Sequence, residues 1–382
     1  MILAVAVAFV RLFVAESFLI STGSMAPRIR GYHYQVACPD CQYVFAFTAT
    51  EKADASLRKG SSDGLVLECP NCHYDHIRLQ DVPRVEGDQI LVNKNAFQWH
   101  EPQRFESVVF RNPQHPTEVY LKRLIGLPGE TISFKEGDIY VNGQIQRKGL
   151  ACQQQMRIPV HDSRFHPQFQ DDNYRTPWQS ETSASNEGWQ QVESGFRCEN
   201  PTGQTIHWLN FQPWVRKGGA ARSEVTLENW PTDLPLPTEE TILRYDTLKK
   251  VMSCRGALPA EVVNRLSELT IDSKFRVALE TLFENSHHQT LLDQTAYNVP
   301  TIELPHPVRD LMVQLEVEST ASGMMLQLEM NDGWFPFVCE LDFENQISTL
   351  RLADASKPLR EGKLPPLGFE VPIRIEMSVM DR

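Results

Sequence analysis

The first residues of the chain form an apolar run that is shorter than a bilayer span. Residues 1–10 are all apolar, and Arg11 and Glu16 then interrupt the pattern. A helix needs about 20 mostly apolar residues to cross a membrane. Three interpretations compete: a membrane helix clipped at its start, a cleavable signal peptide without a basic leading region, and a shallow anchor. We favour the first, and the pattern predicts a membrane anchor helix over residues 1–20.

The clearest hydrophobic periodicity lies in the last third of the chain, where apolar and polar residues alternate. The alternating apolar positions are Val313, Leu315 and Val317; Leu326, Leu328 and Met330; Phe337, Cys339, Leu341 and Phe343; and Val371, Ile373, Ile375, Met377 and Val379. Alternation with intervening Gly or Asn turns favours an antiparallel β-sandwich. The rhythm is similar to that of laminin-G and concanavalin-like sandwiches. Such a region would bind a protein partner or, less favoured, a carbohydrate.

The middle of the chain has a mixed pattern. Residues 239–285 contain apolar residues at helical spacing, such as Val262, Val263 and Leu266, and predict short helices packed against a sheet. Residues 218–240 are rich in glycine and proline and predict a connector. The fold class predicted for the whole chain is mainly β.

Four of the eight cysteines form two Cys-x-x-Cys knuckles. Cys38 and Cys41 make the first, and Cys69 and Cys72 make the second after 27 intervening residues. Two such knuckles can hold one zinc ion tetrahedrally, so the spacing predicts a zinc ribbon over residues 37–78. Two disulfides in an oxidising compartment are the rival interpretation. Four thiolates leave no open coordination position, so the zinc would be structural and catalysis would use no cofactor.

The net charge of −12 limits the possible partners. Nucleic-acid binding requires a basic surface, so this chain is predicted to bind no nucleic acid. Its 382 residues are enough for about two or three domains.

Two short stretches hold side chains suited to covalent catalysis. Ser24 lies in residues 18–27, directly after the apolar start, and Lys122 lies in residues 120–129. A serine hydroxyl is a poor nucleophile until a base takes its proton. Lysine can act as that base only when uncharged, which exclusion of water favours, and the apolar neighbours of Lys122 predict such a cover. The pair predicts a Ser-Lys peptidase.

These stretches resemble the nucleophile and general-base boxes of the type I signal peptidases. Residues 87–94 resemble the strand between the boxes, and the whole resemblance covers residues 10–36 and 80–143. The later Gly-Asp-Asn-Ser box, which orients the lysine in that family, does not occur. The chain is therefore a fragment, a divergent enzyme or a non-catalytic relative.

The resemblance implies a role for each matching residue. Ser24 would attack the scissile carbonyl, Lys122 would be the general base, and the Ser24 amide and Thr22 hydroxyl would form the oxyanion hole. An apolar groove would bind the small residues at positions −1 and −3 of a signal peptide. The groove residues implied by matching position are Phe18, Ile20, Met25, Tyr120 and Leu121. Asp88 and Asp138 each follow a glycine and are interpreted as turn residues.

The predicted domain order combines these assignments. It consists of the anchor (1–20), the peptidase core (21–36 and 79–150), the inserted zinc ribbon (37–78), and a β-sandwich-like insertion with some helix (151–382). We expect this last insertion to be cut off before the missing box.

The resemblance implies a membrane-bound serine endopeptidase that cleaves signal peptides from exported preproteins. Its partners would be those signal peptides and the lipid bilayer. The catalytic domain would face the extracytoplasmic side of the cytoplasmic membrane. The alternative is an inactive, membrane-tethered binding or scaffold module that retains a degenerate core. A self-cleaving Ser-Lys regulator is disfavoured, because the chain is acidic and has no DNA-binding motif.

Overall fold

The computed structural model describes most of the chain. The described residues are 2–48, 66–78, 82–181, 188–193, 195–199, 205–219, 222–238, 241–293, 306–318, 324–365 and 372–381. Part of the predicted ribbon (49–65) and the predicted strand residue Val371 lie outside the described residues.

The described residues are mainly β, as the sequence predicted. The helices are α1 (Ile2–Phe13), α2 (Ala96–Trp99), α3 (Leu150–Met156), α4 (Ala260–Leu269) and α5 (Ser273–His287). The strands are β1 (Ala15–Leu19), β2 (His33–Ala37), β3 (Val44–Thr48), β4 (Val66–Leu67), β5 (Ile77–Arg78), β6 (Arg84–Val85), β7 (Gln89–Asn93), β8 (Ser107–Arg111), β9 (Val119–Arg123), β10 (Ile132–Lys135), β11 (Asp138–Val141), β12 (Gln144–Ile145), β13 (Trp178–Ser180), β14 (Gly188–Val192), β15 (Gly195–Glu199), β16 (Leu209–Phe211), β17 (Ser223–Thr226), β18 (Leu243–Asp246), β19 (Val251–Cys254), β20 (Leu311–Val317), β21 (Met325–Asn331), β22 (Pro336–Asp342), β23 (Ile347–Leu352), β24 (Arg360–Lys363) and β25 (Ile373–Val379).

The chain divides into two compact units, each assembled from distant stretches. The first unit comprises Met1–Gly31, Gly87–Ile158 and His306–Arg382, and the second comprises Tyr32–Glu86 and Pro159–Pro305. The cysteine knuckles therefore fold with residues 159–305, while both catalytic candidates fold with the C-terminal strands.

The first unit is built from small antiparallel sheets. β1 pairs with β7, β8 with β9, and β10, β11 and β12 form one sheet. β20 pairs with β25, and β21 to β24 form a four-stranded sheet in sequence order. The alternating segments predicted near the end of the chain are thus antiparallel strands, while their assembly into a sandwich stays a prediction.

The start of the chain is helical for a shorter stretch than predicted. α1 has 12 residues, and the chain then continues as β1, which pairs with β7 from Ala15↔Asn93 to Leu19↔Gln89. The predicted anchor helix over residues 1–20 therefore ends early, because its last residues form strand hydrogen bonds. Within the ranges given above, no helix combines the length and the apolarity needed to cross a membrane.

The second unit has a helix-on-sheet core. Asp272 caps α5 by accepting hydrogen bonds from the amides of Lys274 and Phe275. One side of this helix is buried through Phe275, Leu279 and Leu282, and the helix packs on β17 and β19. The predicted helical stretch with Val262 and Val263 is found as α4.

Candidate active site and metal centre

The structure brings Ser24 and Lys122 into direct contact within the first unit. Lys122 Nζ lies 2.6 Å from Ser24 Oγ, although the two residues are 98 positions apart in the sequence. This distance is within the range in which a proton can pass between a base and a hydroxyl. The two residues are therefore arranged as a nucleophile and a general base would be.

The hairpin of β8 and β9 carries the lysine. Lys122 lies opposite Val108, and the next pair on the same face is Tyr120 with Phe110, whose ring centroids are 5.9 Å apart. Because side chains alternate along a strand, Leu121 points to the opposite face. Of the two groove residues predicted on this strand, only Tyr120 shares the face of the lysine.

The turn after β9 is held by an ion pair. Arg104 Nη2 lies 2.5 Å from Glu130 Oε1, and Arg104 Nη1 donates to the carbonyl of Ile125. Glu130 also accepts a hydrogen bond from the amide of Leu127 at 2.6 Å. The hydrogen bond from Arg104 and that from the Leu127 amide lower the pKa of Glu130, so the carboxylate stays charged. This pair fixes the chain just beyond Lys122.

Ser24 lies on a loop, residues 20–31, that we call the Ser24 loop. Its turns are closed by hydrogen bonds from the Ala26 amide to the Gly23 carbonyl and from the Ile29 amide to the Met25 carbonyl. Glycine is required at Gly31, because a Cβ there would lie 2.5 Å from the carbonyl carbon of Thr22. The two arms of the loop therefore approach each other more closely than a side chain would allow.

Both members of the pair are exposed to solvent. The prediction that apolar neighbours cover Lys122 is wrong for the free chain. The reason is the strand geometry: Lys122 lies on the exposed face of β9, and Tyr120 on the same face is itself 38% exposed. The apolar residues that precede and follow the lysine in sequence point elsewhere.

The predicted oxyanion donors are available on the same loop. Thr22 is exposed, and no acceptor among the described residues takes the hydrogen of its hydroxyl or of the Ser24 amide. Of the other predicted groove residues, Phe18 and Ile20 are half-buried, while Met25 is only 8% exposed and packs inside the loop. The groove and oxyanion assignments stay predictions.

The second unit gathers the four knuckle cysteines into one buried cluster. Cys38 Sγ and Cys72 Sγ are 3.7 Å apart, as are Cys41 Sγ and Cys69 Sγ. Four sulfurs at about 2.3 Å from a zinc ion at the centre of a tetrahedron would be separated by about 3.8 Å. A disulfide would need a separation of about 2.05 Å. The cluster has the dimensions of a tetrahedral metal site.

The two knuckles are built in the same way. In the first, the Cys38 amide donates to the Tyr43 carbonyl, and Gln42 has a positive φ of 63°. In the second, the Cys69 amide donates to the Tyr74 carbonyl, and His73 has a positive φ of 56°. His73 is thus the turn residue of its knuckle, and its ring contacts Glu68 at 2.6 Å rather than a cysteine.

The thiols of the cluster perturb one another. Hydrogen bonds from the neighbouring thiols hold the pKa of Cys38 well below its ordinary value, and the same contacts raise the pKa of Cys72 well above it. The four thiols therefore titrate as one coupled group. A divalent cation at the centre would displace the remaining protons, because metal ligands must be thiolates.

Residues inside the knuckles bind the second half of the unit, a role that the sequence analysis missed. Asp40 is fully buried, accepts hydrogen bonds from the amides of Gln168 and Phe169, and pairs with Arg216. The side-chain oxygen of Asn71 accepts a hydrogen bond from the Asp162 amide at 2.6 Å, and its side-chain nitrogen donates one to the Phe165 carbonyl. The sequence signal that could have revealed this role is the polar residue that lies between the two cysteines of each knuckle.

Comparison with known proteins gives a family match for part of the chain. The family model described as signal peptidase, peptidase S26, matches residues 82–195, which include Lys122 but not Ser24. The chain is 48% identical over 59 residues to signal peptidase I V of Bacillus subtilis, covering 15% of this chain and 34% of that protein. It is 40% identical over 77 residues to signal peptidase I of Pseudomonas aeruginosa, covering 17% and 27%.

A third relative, signal peptidase I of Aquifex aeolicus, is 42% identical over 48 residues, covering 13% of this chain and 19% of that protein. The chain thus spans about a third or less of the length of these three relatives. No solved structure matches the chain. Through the segment that carries Lys122, the chain is similar to the signal peptidase I family.

Proposed function

We propose that this chain is a serine endopeptidase of the signal peptidase type, with Ser24 as nucleophile and Lys122 as general base. The observation that carries the proposal is the 2.6 Å separation of Lys122 Nζ from Ser24 Oγ. The family match and the curated relatives support the substrate class, the signal peptides of exported preproteins.

The reaction would run in two proton-balanced halves. Uncharged Lys122 takes the proton of Ser24 Oγ as the oxygen attacks the scissile carbonyl, and the protonated amine then passes that proton to the leaving amine. In the second half Lys122 takes a proton from water as its oxygen attacks the acyl carbonyl, and the protonated amine then returns that proton to Ser24 Oγ as the acid leaves. The amide of Ser24 and the hydroxyl of Thr22 would stabilise the oxyanion in both halves.

The exposed lysine needs a cover before it can act as a base. Water stabilises the charged ammonium form, so the cover must come from what binds beside it. We infer that the substrate peptide itself excludes water from Lys122, with Tyr120 and Phe110 forming the apolar side of the site. Leu121 and Met25 would contribute packing rather than direct contact.

A membrane location is supported by the exposed side chains of α1. Phe9, Leu12 and Phe13 are 58–63% exposed, and exposed apolar groups of this kind mark membrane or protein contacts. We propose that these residues bind the cytoplasmic membrane, with the peptidase site on its extracytoplasmic side. The cysteine cluster would hold one structural zinc ion that takes no part in catalysis.

A cleavage assay tests the catalytic proposal. The full chain, purified in detergent, is offered a preprotein with alanine at positions −1 and −3. Ser24→Ala and Lys122→Met should each lower the rate of processing by about 10⁴-fold or more. Ser17→Ala and Lys94→Met are matched controls, since both residues are exposed in the same unit and neither touches Ser24.

The exposure of both Ser24 and Lys122 favours one second candidate, an inactive binding or scaffold module. Equal processing by the wild type and by all four variants would reject the peptidase and leave that module. Processing lost in Ser24→Ala and Lys122→Met but kept in both controls would reject the module.

A further inference from the structure

The two ends of the Ser24 loop are joined by one residue, Asp88, which directly precedes β7. The Ile20 amide donates to the Asp88 carbonyl at 3.0 Å, and the Asp88 amide donates to the Arg30 carbonyl at 2.8 Å. The side chain adds a third bond, since Asp88 Oδ2 accepts the Arg30 amide at 2.7 Å. Asp88 thus bridges residues 20 and 30, the two ends of the loop that carries the nucleophile.

The residue before Asp88 makes this closure possible. A Cβ at Gly87 would lie 1.9 Å from the carbonyl oxygen of Ile20, which is a severe clash. It would also lie 3.0 Å from the carbonyl oxygen of Arg30 and from the carbonyl carbon of Gly31. Only glycine lets the backbone come this close. The Gly87-Asp88 pair is therefore fitted to the loop by shape as well as by hydrogen bonding.

We propose that Asp88 is a positioning residue that holds Ser24 in reach of Lys122. Its carboxylate touches neither Ser24 nor Lys122, and it acts through the backbone of Arg30. Loss of the carboxylate would leave the two backbone bonds but remove one of the two hydrogen bonds that hold the Arg30 end of the loop. Because the attack depends on sub-ångström alignment, small displacements of Ser24 would lower the rate of the chemical step. This proposal rests on the peptidase function proposed above.

Asp88→Ala tests the proposal, and Gln89→Ala is its matched control. Gln89 is the next residue, is also exposed, and makes one side-chain hydrogen bond to Ser17 outside the loop. Asp88→Ala should lower kcat about tenfold with KM changed less than twofold. Asp88→Asn keeps an acceptor oxygen and should recover most of kcat, and Gln89→Ala should leave kcat unchanged.

Hydrogen exchange of the peptide that spans residues 20–31 gives a readout that does not depend on activity. Exchange should be faster in Asp88→Ala and close to wild type in Asp88→Asn and Gln89→Ala. If the wild type cleaves nothing, the peptidase proposal fails while the exchange result still tests the loop. Unchanged exchange in Asp88→Ala, or equal kcat in Asp88→Ala and Gln89→Ala, would overturn the positioning role.

Discussion

The cysteine cluster of the second unit and the Ser24–Lys122 pair of the first unit are built in opposite ways. The four cysteines are 0–2% exposed and lie among buried residues that hydrogen-bond to residues 161–169. The Ser24–Lys122 pair is exposed, and one hydrogen bond joins its members. A structural centre must be closed to hold its metal, while a peptidase centre must stay open to admit a chain. The cluster should therefore govern stability and the pair should govern rate.

The largest effect on stability is expected from the cysteine cluster. Cys69→Ser, or removal of metal with a chelator, should abolish cooperative unfolding of the second unit, because zinc binding by such sites contributes about 10–16 kcal/mol. Fluorescence and hydrogen exchange of residues 214–287 would follow the loss, and metal analysis should find one zinc per chain. Cys152→Ser is the control, since that cysteine is half-buried and lies outside the cluster. If the Cys69→Ser protein were as stable as the wild type, the proposal that a metal at the cysteine cluster stabilises the second unit would be rejected.

A smaller effect is expected from the buried ion pair next to the cluster. Asp40→Ala removes the fully buried partner of Arg216, which is 9% exposed and keeps its ion pair with the less buried Asp171, and should cost about 3 kcal/mol in the free energy of unfolding. Asp75→Ala removes the more exposed pair with Lys217 and should cost less than about 1 kcal/mol. Urea denaturation of both variants checks the difference, and equal midpoints would contradict it.

Acid should weaken the second unit through its buried histidines. Burial lowers the pKa of His287, with Arg175 and His288 acting in the same direction and the hydrogen bond to the Phe283 carbonyl and the charge of Asp171 opposing them. As the pH falls below the ordinary histidine value, the unfolded chain binds protons that the folded chain does not, so the free energy of unfolding decreases. The loss should be of the order of 1 kcal/mol for each unit by which the pKa is lowered.

Urea denaturation at pH 7.5 and at pH 5.5, followed by tryptophan fluorescence, measures this dependence. His287→Gln should flatten it, while the control His76→Gln should not, since the His76 side chain is 76% exposed. An identical pH dependence in wild type and His287→Gln would assign the effect to other groups.

The smallest effect on stability is expected at the catalytic pair. Ser24→Ala and Lys122→Met should each change the free energy of unfolding by no more than about 0.5 kcal/mol, because both side chains are exposed. The same substitutions are expected to abolish processing. A large loss of stability in either variant would show that the pair also has a structural role and would weaken the contrast with the cluster.

Local pattern in the sequence was enough to predict several features of the structure. Alternation located β20 to β22 and β25, and helical spacing located α4, because both patterns reflect contacts within a few residues. The two Cys-x-x-Cys knuckles carry their own turn geometry, so their spacing predicted a four-sulfur cluster. The proximity of Ser24 to Lys122 came from a family resemblance rather than from periodicity.

Only the tertiary structure decided which distant stretches fold together and which side chains meet water. It joined the knuckles to residues 159–305, exposed Lys122, and brought Asp88 to both ends of the Ser24 loop. From the sequence, Asp88 is interpreted as a turn residue. Its hydrogen bond to Arg30 could not be predicted, because the two residues are 58 positions apart. The physical reason is that periodicity encodes which face of an element is apolar. Whether another segment covers that face, and which segment it is, depends on the path of the whole chain.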